Sequence, residues 1–280
     1  MSSFKGAQLH TASSISDFMN IGQIDLRTKP ILVKSFKVPS DRISIVPITD
    51  LHYGAKNCNV KKLEAYLAYI MRTPGCYGIG LGDYMEFATR TSVGLGMYEE
   101  DIHSQEQFEF IKRVLTPLAR AKKLIGLHDG NHEMRARKNG LNPIKILADD
   151  LGIPYLGYMA MHKWIVGDQL YRAVTVHGSS GARTSSGRLQ ALKRITDVVE
   201  ADLYMMGHLH DQVHFHDQVY RIDPAVDHSV RRIRHYVICG SLLEYFDGYA
   251  EMMSLPPTPT GLIRIDLHAD RHHVGYIPSY

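Results

Sequence analysis

Ala201-Asp202-Leu203-Tyr204-Met205-Met206-Gly207-His208-Leu209-His210 is the stretch that decides how the chain is read. A short apolar run that ends at a glycine is the pattern of a buried strand feeding a tight turn. Residues two apart on a strand point to the same side, so His208 and His210 can reach one small site. Imidazole is the commonest metal ligand, and a His-x-His pair at a strand end therefore points to a metal site. Two surface histidines at a turn would look the same, so the rest of the chain must supply partners.

Working outward from that stretch, the same arrangement recurs. Residues 161–166 and 170–176 form a hairpin about Gly167-Asp168, and its second strand ends in His177-Gly178. The strand over 43–48 ends in Thr49-Asp50-Leu51-His52, that over 77–81 in Gly82-Asp83, and that over 123–127 in Gly130-Asn131-His132-Glu133. Helical spacing of apolar residues covers 59–72, with Asn59 as N-cap and Pro74-Gly75 as stop. It also covers 104–120, with Ser104 as cap and Phe108, Ile111, Leu115 and Leu118 on a core face. A third helix spans 142–151, with Asn142 and Pro143 at N-cap and N1, and a fourth spans 185–200. Residues 31–38 read as a further strand, 212–240 as a β-ribbon, and 261–267 and 273–277 as two closing strands. Strands and helices alternate early and β-structure dominates late. The expected class is α/β: two facing sheets of mixed direction with helices outside, a four-layer αββα sandwich. Residues 30–280 are expected to form one domain and residues 1–29 an N-terminal extension.

Composition narrows the field. A chain of 280 residues can bury one sizeable core, and 44% hydrophobic with 22% charged residues describes an ordinary globular protein. A net charge of +3 is too small to demand nucleic acid or a membrane. Cys58, Cys76 and Cys239 are scattered and odd in number, which reads as reduced thiols in a cytoplasm. No apolar run reaches the length of a membrane span. Residues 1–29 lack the apolar core of a signal peptide and are expected to fray, to wrap, or to act as a contact arm in a homo-oligomer.

Five strand ends thus carry metal-type groups: Asp50 and His52, Asp83, Asn131 and His132, His177, and His208 with His210. In α/β sheets, ligands bind in the crevice outside the carboxyl ends of strands. Taken singly, each position has a bland reading, since an Asp after Gly is usually a turn residue.

In this order, Asp50-x-His52, Gly82-Asp83, Gly130-Asn131-His132-Glu133, His177-Gly178 and Gly207-His208-x-His210 resemble the calcineurin-like metallophosphoesterases over residues 43–210. The run from His177 to Gly187 and Ser241-Leu242-Leu243-Glu244-Tyr245 are similar to a small phage- and prophage-associated branch. The resemblance implies two divalent metal ions, manganese first with iron, zinc or nickel as alternatives. Asp50, His52 and His210 would hold one ion, and Asn131, His177 and His208 the other. Asp83 would bridge them. It implies hydrolysis by attack of a metal-bridging hydroxide on phosphorus. His132 would contact the phosphoryl oxygen or protonate the leaving group; a supporting hydrogen bond is the bland alternative.

The remaining candidates are softer. Glu133 can orient His132 or cap a helix, and Glu86 is expected to brace a loop. Arg135 and Arg183, the latter in the Gly178–Thr184 loop, are candidates to grip substrate phosphate. Tyr53 and Tyr84 can stack on a base or simply line the pocket. The reaction expected is phosphodiester hydrolysis, on nucleic acid or a nucleotide diester. A phosphomonoesterase or protein phosphatase is the alternative within enzymes, because Gly130-Asn131-His132-Glu133-x-Arg135 also resembles protein phosphatases. An inactive metal-binding interaction module is the third reading.

Overall fold

The computed structural model describes residues 29–88, 102–137, 140–222, 225 and 227–279. The expected N-terminal extension, Lys29 apart, lies outside the described residues. Ile31–Tyr280 forms one compact unit and carries every candidate site residue.

Its elements run β1 (Ile31–Phe36), β2 (Arg42–Thr49), α1 (Val60–Arg72), β3 (Cys76–Gly82), α2 (Ser104–Arg120), β4 (Leu124–His128), α3 (Met134–Arg137), α4 (Pro143–Leu151), β5 (Tyr155–Gly157), β6 (Met159–Val166), β7 (Gln169–Val176) and α5 (Ser185–Lys193). They continue with β8 (Leu203–Met206), β9 (Gln212–Arg221), β10 (Val230–Ser241), α6 (Tyr249–Met252), β11 (Gly261–Leu262), β12 (Arg264–His268) and β13 (Val274–Ile277).

The strands form two mixed sheets. One has the order β13-β12-β2-β3-β4-β5; the other has β1-β6-β7-β8-β10-β11, with β9 on β10. Strands β2, β3 and β4 are mutually parallel, as are β7, β8 and β10. Each sheet therefore sends its site-bearing strands out at one edge.

Side-chain alternation builds the layers. Ile43, Ile45, Ile79 and Leu81 of the first sheet meet Ala173, Leu203, Met205 and Val237 of the second in a core between the sheets. Val46 and Ile48 face the other way, onto Leu63, Leu67 and Ile70 of α1 and Ile111 and Leu115 of α2. On the far side, Val174, Val176, Tyr204 and Met206 pack on Leu192 of α5. The result is the expected helix, sheet, sheet, helix order. Asn59 and Asn142 cap α1 and α4 by accepting from Lys62 N and Lys145 N, as their positions predict.

Three details depart from expectation. Ser104 is the first helical residue of α2, and His103 takes the cap position without a side-chain hydrogen bond. The helix expected over 185–200 stops at Lys193 and tightens into a 3-10 turn over Arg194–Asp197. The β-branched run Ile195, Thr196, Val198 and Val199 explains this, as does the Thr196 hydroxyl, which donates to Lys193 O at 2.7 Å. Strand β5 is only three residues long, too short to show a period.

Candidate metal centre

The loops after β2, β3, β4, β7 and β8 converge at one point. Five of the nine non-glycine residues with positive φ among the described residues are Asp50, His52, Asp83, His208 and His210. Left-handed backbone at a non-glycine residue is strained, and such strain concentrates at functional sites. The motif glycines serve the approach of loop to loop. A Cβ on Gly207 would stand 2.3 Å from Thr49 Oγ1 and 2.9 Å from Asp50 Oδ2, and one on Gly130 would stand 2.0 Å from Asp83 N.

Two ligand clusters result. In the first, His210 Nε2 lies 3.1 Å from Asp50 Oδ1 and 3.2 Å from His52 Nε2. In the second, His177 Nε2 lies 3.3 Å from Asp83 Oδ2, and Asn131 Oδ1 touches both His177 Nε2 at 2.9 Å and His208 Nδ1 at 2.8 Å. Asp50, His52 and His210 bring three ligating atoms within 4.8 Å of one another, as do Asp83, His177 and His208. Asp83 also joins His52 and His132 in a third such group, so its carboxylate stands between the two clusters. All seven residues expected to hold metal thus meet in one place. Imidazoles, two carboxylates and a carboxamide oxygen form a mixed N/O donor set that fits borderline divalent ions.

Supporting bonds fix the ligands. His177 Nδ1 donates to Leu81 O at 2.7 Å, which leaves Nε2 facing Asp83. The Thr49 hydroxyl and the His208 N–H donate to the Asp50 carboxylate. Glu86 Oε2 accepts from His52 Nδ1 at 2.9 Å, while Oε1 lies 3.3 Å from His132 Nδ1 and 3.4 Å from Arg135. Glu86 therefore orients imidazoles as well as bracing its loop.

Glu133 holds a role that the sequence did not reveal. Its buried carboxylate accepts four backbone N–H groups, from Asp83, Tyr84, Met85 and Gly130, at 2.6–3.1 Å. It neither orients His132 nor caps a helix; it clamps the loop that carries Asp83.

Charge in the centre follows from burial and neighbours. Burial alone would raise the Asp83 carboxyl, but the charges of His177 and His132 outweigh it and hold Asp83 well below the usual carboxylate range. Burial pulls His177 down, yet Asp83 and then Asp50 carry it up to about 10. A cation bound here competes with that proton, so uptake releases protons. His132 is pushed up to about 9 against burial, chiefly by Asp83 and Glu86.

The four expected substrate contacts fare differently. Arg135 lies beside the centre, its Nη2 3.2 Å from His132 Nε2, but Nη1 is committed to Glu86 O at 2.8 Å. Arg183 is exposed on the loop before α5 and makes no hydrogen bond or ion pair among the described residues. The Tyr53 ring stacks on Phe110 of α2, with centroids 3.8 Å apart. Tyr84 corrects the expectation: it is wholly buried in the helix-side core and its hydroxyl donates to His128 O, so it cannot meet a substrate base.

No family model and no curated protein matches the chain. Among solved structures, the chain is similar to vacuolar protein sorting 29 from Cryptosporidium parvum, at 14% identity and a TM-score of 0.42, over 85% of this chain and 98% of that one. A metallophosphoesterase from Sphaerobacter thermophilus overlaps at 16% identity and a TM-score of 0.39, over 84% and 87% of the two chains. A predicted phosphoesterase from Streptococcus pneumoniae overlaps at 12% identity and a TM-score of 0.35, over 85% and 98%. Overlaps this loose carry no activity across.

Proposed function

We propose that the chain is a metal-dependent phosphoesterase of the calcineurin-like type that prefers diesters, with nucleic acid or a nucleotide diester as substrate. The observation that carries this reading is the buried Asp83 carboxylate standing between two ligand clusters. Asp50, His52 and His210 would hold one divalent ion, manganese in the first instance, and Asn131, His177 and His208 the other, with Asp83 shared. Bound there, such ions supply positive charge for phosphoryl oxygens and lower the pKa of water toward 7.

The chain's own residues supply the rest. His132 Nδ1 donates to Glu86 O at 2.8 Å, which leaves Nε2 toward the centre, 3.9 Å from Asp83 Oδ2. Against burial, the charges of Asp83 and Glu86 raise this ring's proton affinity, so with Arg135 Nη2 turned aside from Nε2 the ring can carry a proton there and donate it to a phosphoryl or leaving-group oxygen. Glu86 and Glu133 hold the ligand loops in place for that geometry.

Local charge supports the diester preference. Arg135 is paired with Glu86, so it is not a spare cation beside the centre. A diester monoanion needs less compensating charge than a monoester dianion. Arg135 next to His132 is also what favours the monoesterase alternative, because a guanidinium that turned from Glu86 could grip a terminal phosphate. The test compares bis-(p-nitrophenyl) phosphate with p-nitrophenyl phosphate on the manganese-loaded protein. A higher kcat/KM on the diester is expected; a strong monoester preference would reject the diesterase reading, and inactivity on both would favour a binding module.

A further inference from the structure

The core between the sheets holds a polar bridge beside the candidate centre. Its parts are His128, the last residue of β4, Thr175 of β7 and His162 of β6, all at most 2% exposed. The Thr175 hydroxyl lies 2.7 Å from His128 Nε2 and 2.7 Å from His162 Nε2, and His128 Nδ1 lies 2.7 Å from Gly157 O. A carbonyl only accepts, so His128 Nδ1 carries the hydrogen, and Nε2 of the neutral ring accepts from the Thr175 hydroxyl. The Thr175 oxygen in turn accepts from His162 Nε2. Each bond therefore has one direction, and the chain of bonds crosses from the first sheet to the second.

The strands joined by His128 and Thr175 lead directly into Asn131 and His177. Thr175 stands two residues before His177, so both side chains leave the second sheet toward the first. His177 shows this direction by donating to Leu81 O and facing Asp83. His128 stands three residues before Asn131. Beyond the bridge, Asn131 Oδ1 and His177 Nε2 meet at 2.9 Å, and His208 Nδ1 lies 2.8 Å from the same oxygen. The layer around the bridge is built from apolar side chains such as Ile125, Ala160, Ala173 and Met205. Apolar contacts tolerate a small slide of one sheet over the other; a fully satisfied buried hydrogen-bond chain does not.

We propose that Thr175 is a positioning residue for the centre. Through His128 it sets the distance between the loops after β4 and β7, and so the grip of Asn131 and His177 on the ion they would share with His208. The inference rests on the two-ion reading and adds to it a residue that touches neither ion nor substrate. The hydroxyl suits the part because it gives one hydrogen and takes another, which joins an accepting imidazole to a donating one. Bonds that support metal ligands from behind typically govern affinity by about 10–100-fold.

The test is calorimetric titration of manganese into the full metal-free chain for the wild type, T175V, T175S and H128N. Valine keeps the shape of threonine and removes the hydroxyl; serine keeps the hydroxyl. In H128N the amide nitrogen takes the place of Nδ1, holds Gly157 O and no longer reaches Thr175. Circular dichroism checks folding, so T175V or H128N carries the test if the other does not fold. The wild type should bind two manganese ions. In T175V and H128N one of the two steps should weaken by about 10–100-fold, and T175S should match the wild type. A hydroxyl that only stabilised the fold would lower the unfolding temperature and leave both steps alone. Unchanged affinities in the folded variants, or a loss in T175S equal to that in T175V, would overturn the positioning role while the two-ion centre stands. Fewer than two ions in the wild type would overturn the two-ion reading, and this role with it.

Discussion

The carboxylate of Glu133 accepts the backbone N–H of Asp83 at 3.1 Å, across fifty residues of sequence. With Tyr84, Met85 and Gly130 it gathers four amides onto two oxygens, so one side chain sets the loop on which Asp83 stands. A carboxamide offers one acceptor oxygen and opposes the other amides with its own N–H groups. Glu133→Gln should therefore cost about 2–4 kcal/mol of stability, the order for leaving buried donors unpaired. It should also lower metal affinity at the centre. Calorimetric unfolding and metal titration of the variant check both.

His132 gives a sharper kinetic prediction. If its Nε2–H serves the leaving oxygen, His132→Gln should reduce kcat by about 10²–10⁴-fold on alkyl diesters. The loss should be smaller on nitrophenyl diesters, whose leaving group needs no proton, and metal content should not change. Equal losses on both substrates would assign His132 to the phosphoryl oxygen instead.

Stability should fall in mild acid for a reason outside the centre. His162 is buried between the sheets, where its Nε2 meets the Thr175 hydroxyl at 2.7 Å, and burial pushes its pKa down to about 4. The unfolded chain binds a proton near 6.5 that the native ring refuses. Stability is therefore full above about pH 6.5 and is lost as pH falls toward 4. At pH 5 the loss from this residue should be about 2 kcal/mol. In His162→Gln the difference in urea midpoint between pH 7 and pH 5 should shrink accordingly. His235, pushed down to about 4 by burial and then by His216, adds to the slope with the same sign.

The residues that converge at the centre were legible in the sequence because each combines a metal-type side chain, a glycine or turn, and the end of an apolar run. Nothing else in the chain repeats that combination five times. The layers were legible because strands and helices alternate early in the chain and β-structure dominates late. What stayed hidden depends on contacts without a local pattern. Glu133 acts on amides of a loop fifty residues away, and no spacing rule announces that. Tyr84 follows Asp83 directly, yet the turn at Asp83, with φ of 51°, sends the next side chain under the loop and into the core.

The measurement that bears most directly on the centre is anomalous diffraction at the manganese edge from crystals grown with manganese. Two peaks about 3.5–4 Å apart should flank the Asp83 carboxylate, one against Asp50, His52 and His210 and the other against Asn131, His177 and His208. A single peak there, or none, would contradict the two-ion centre.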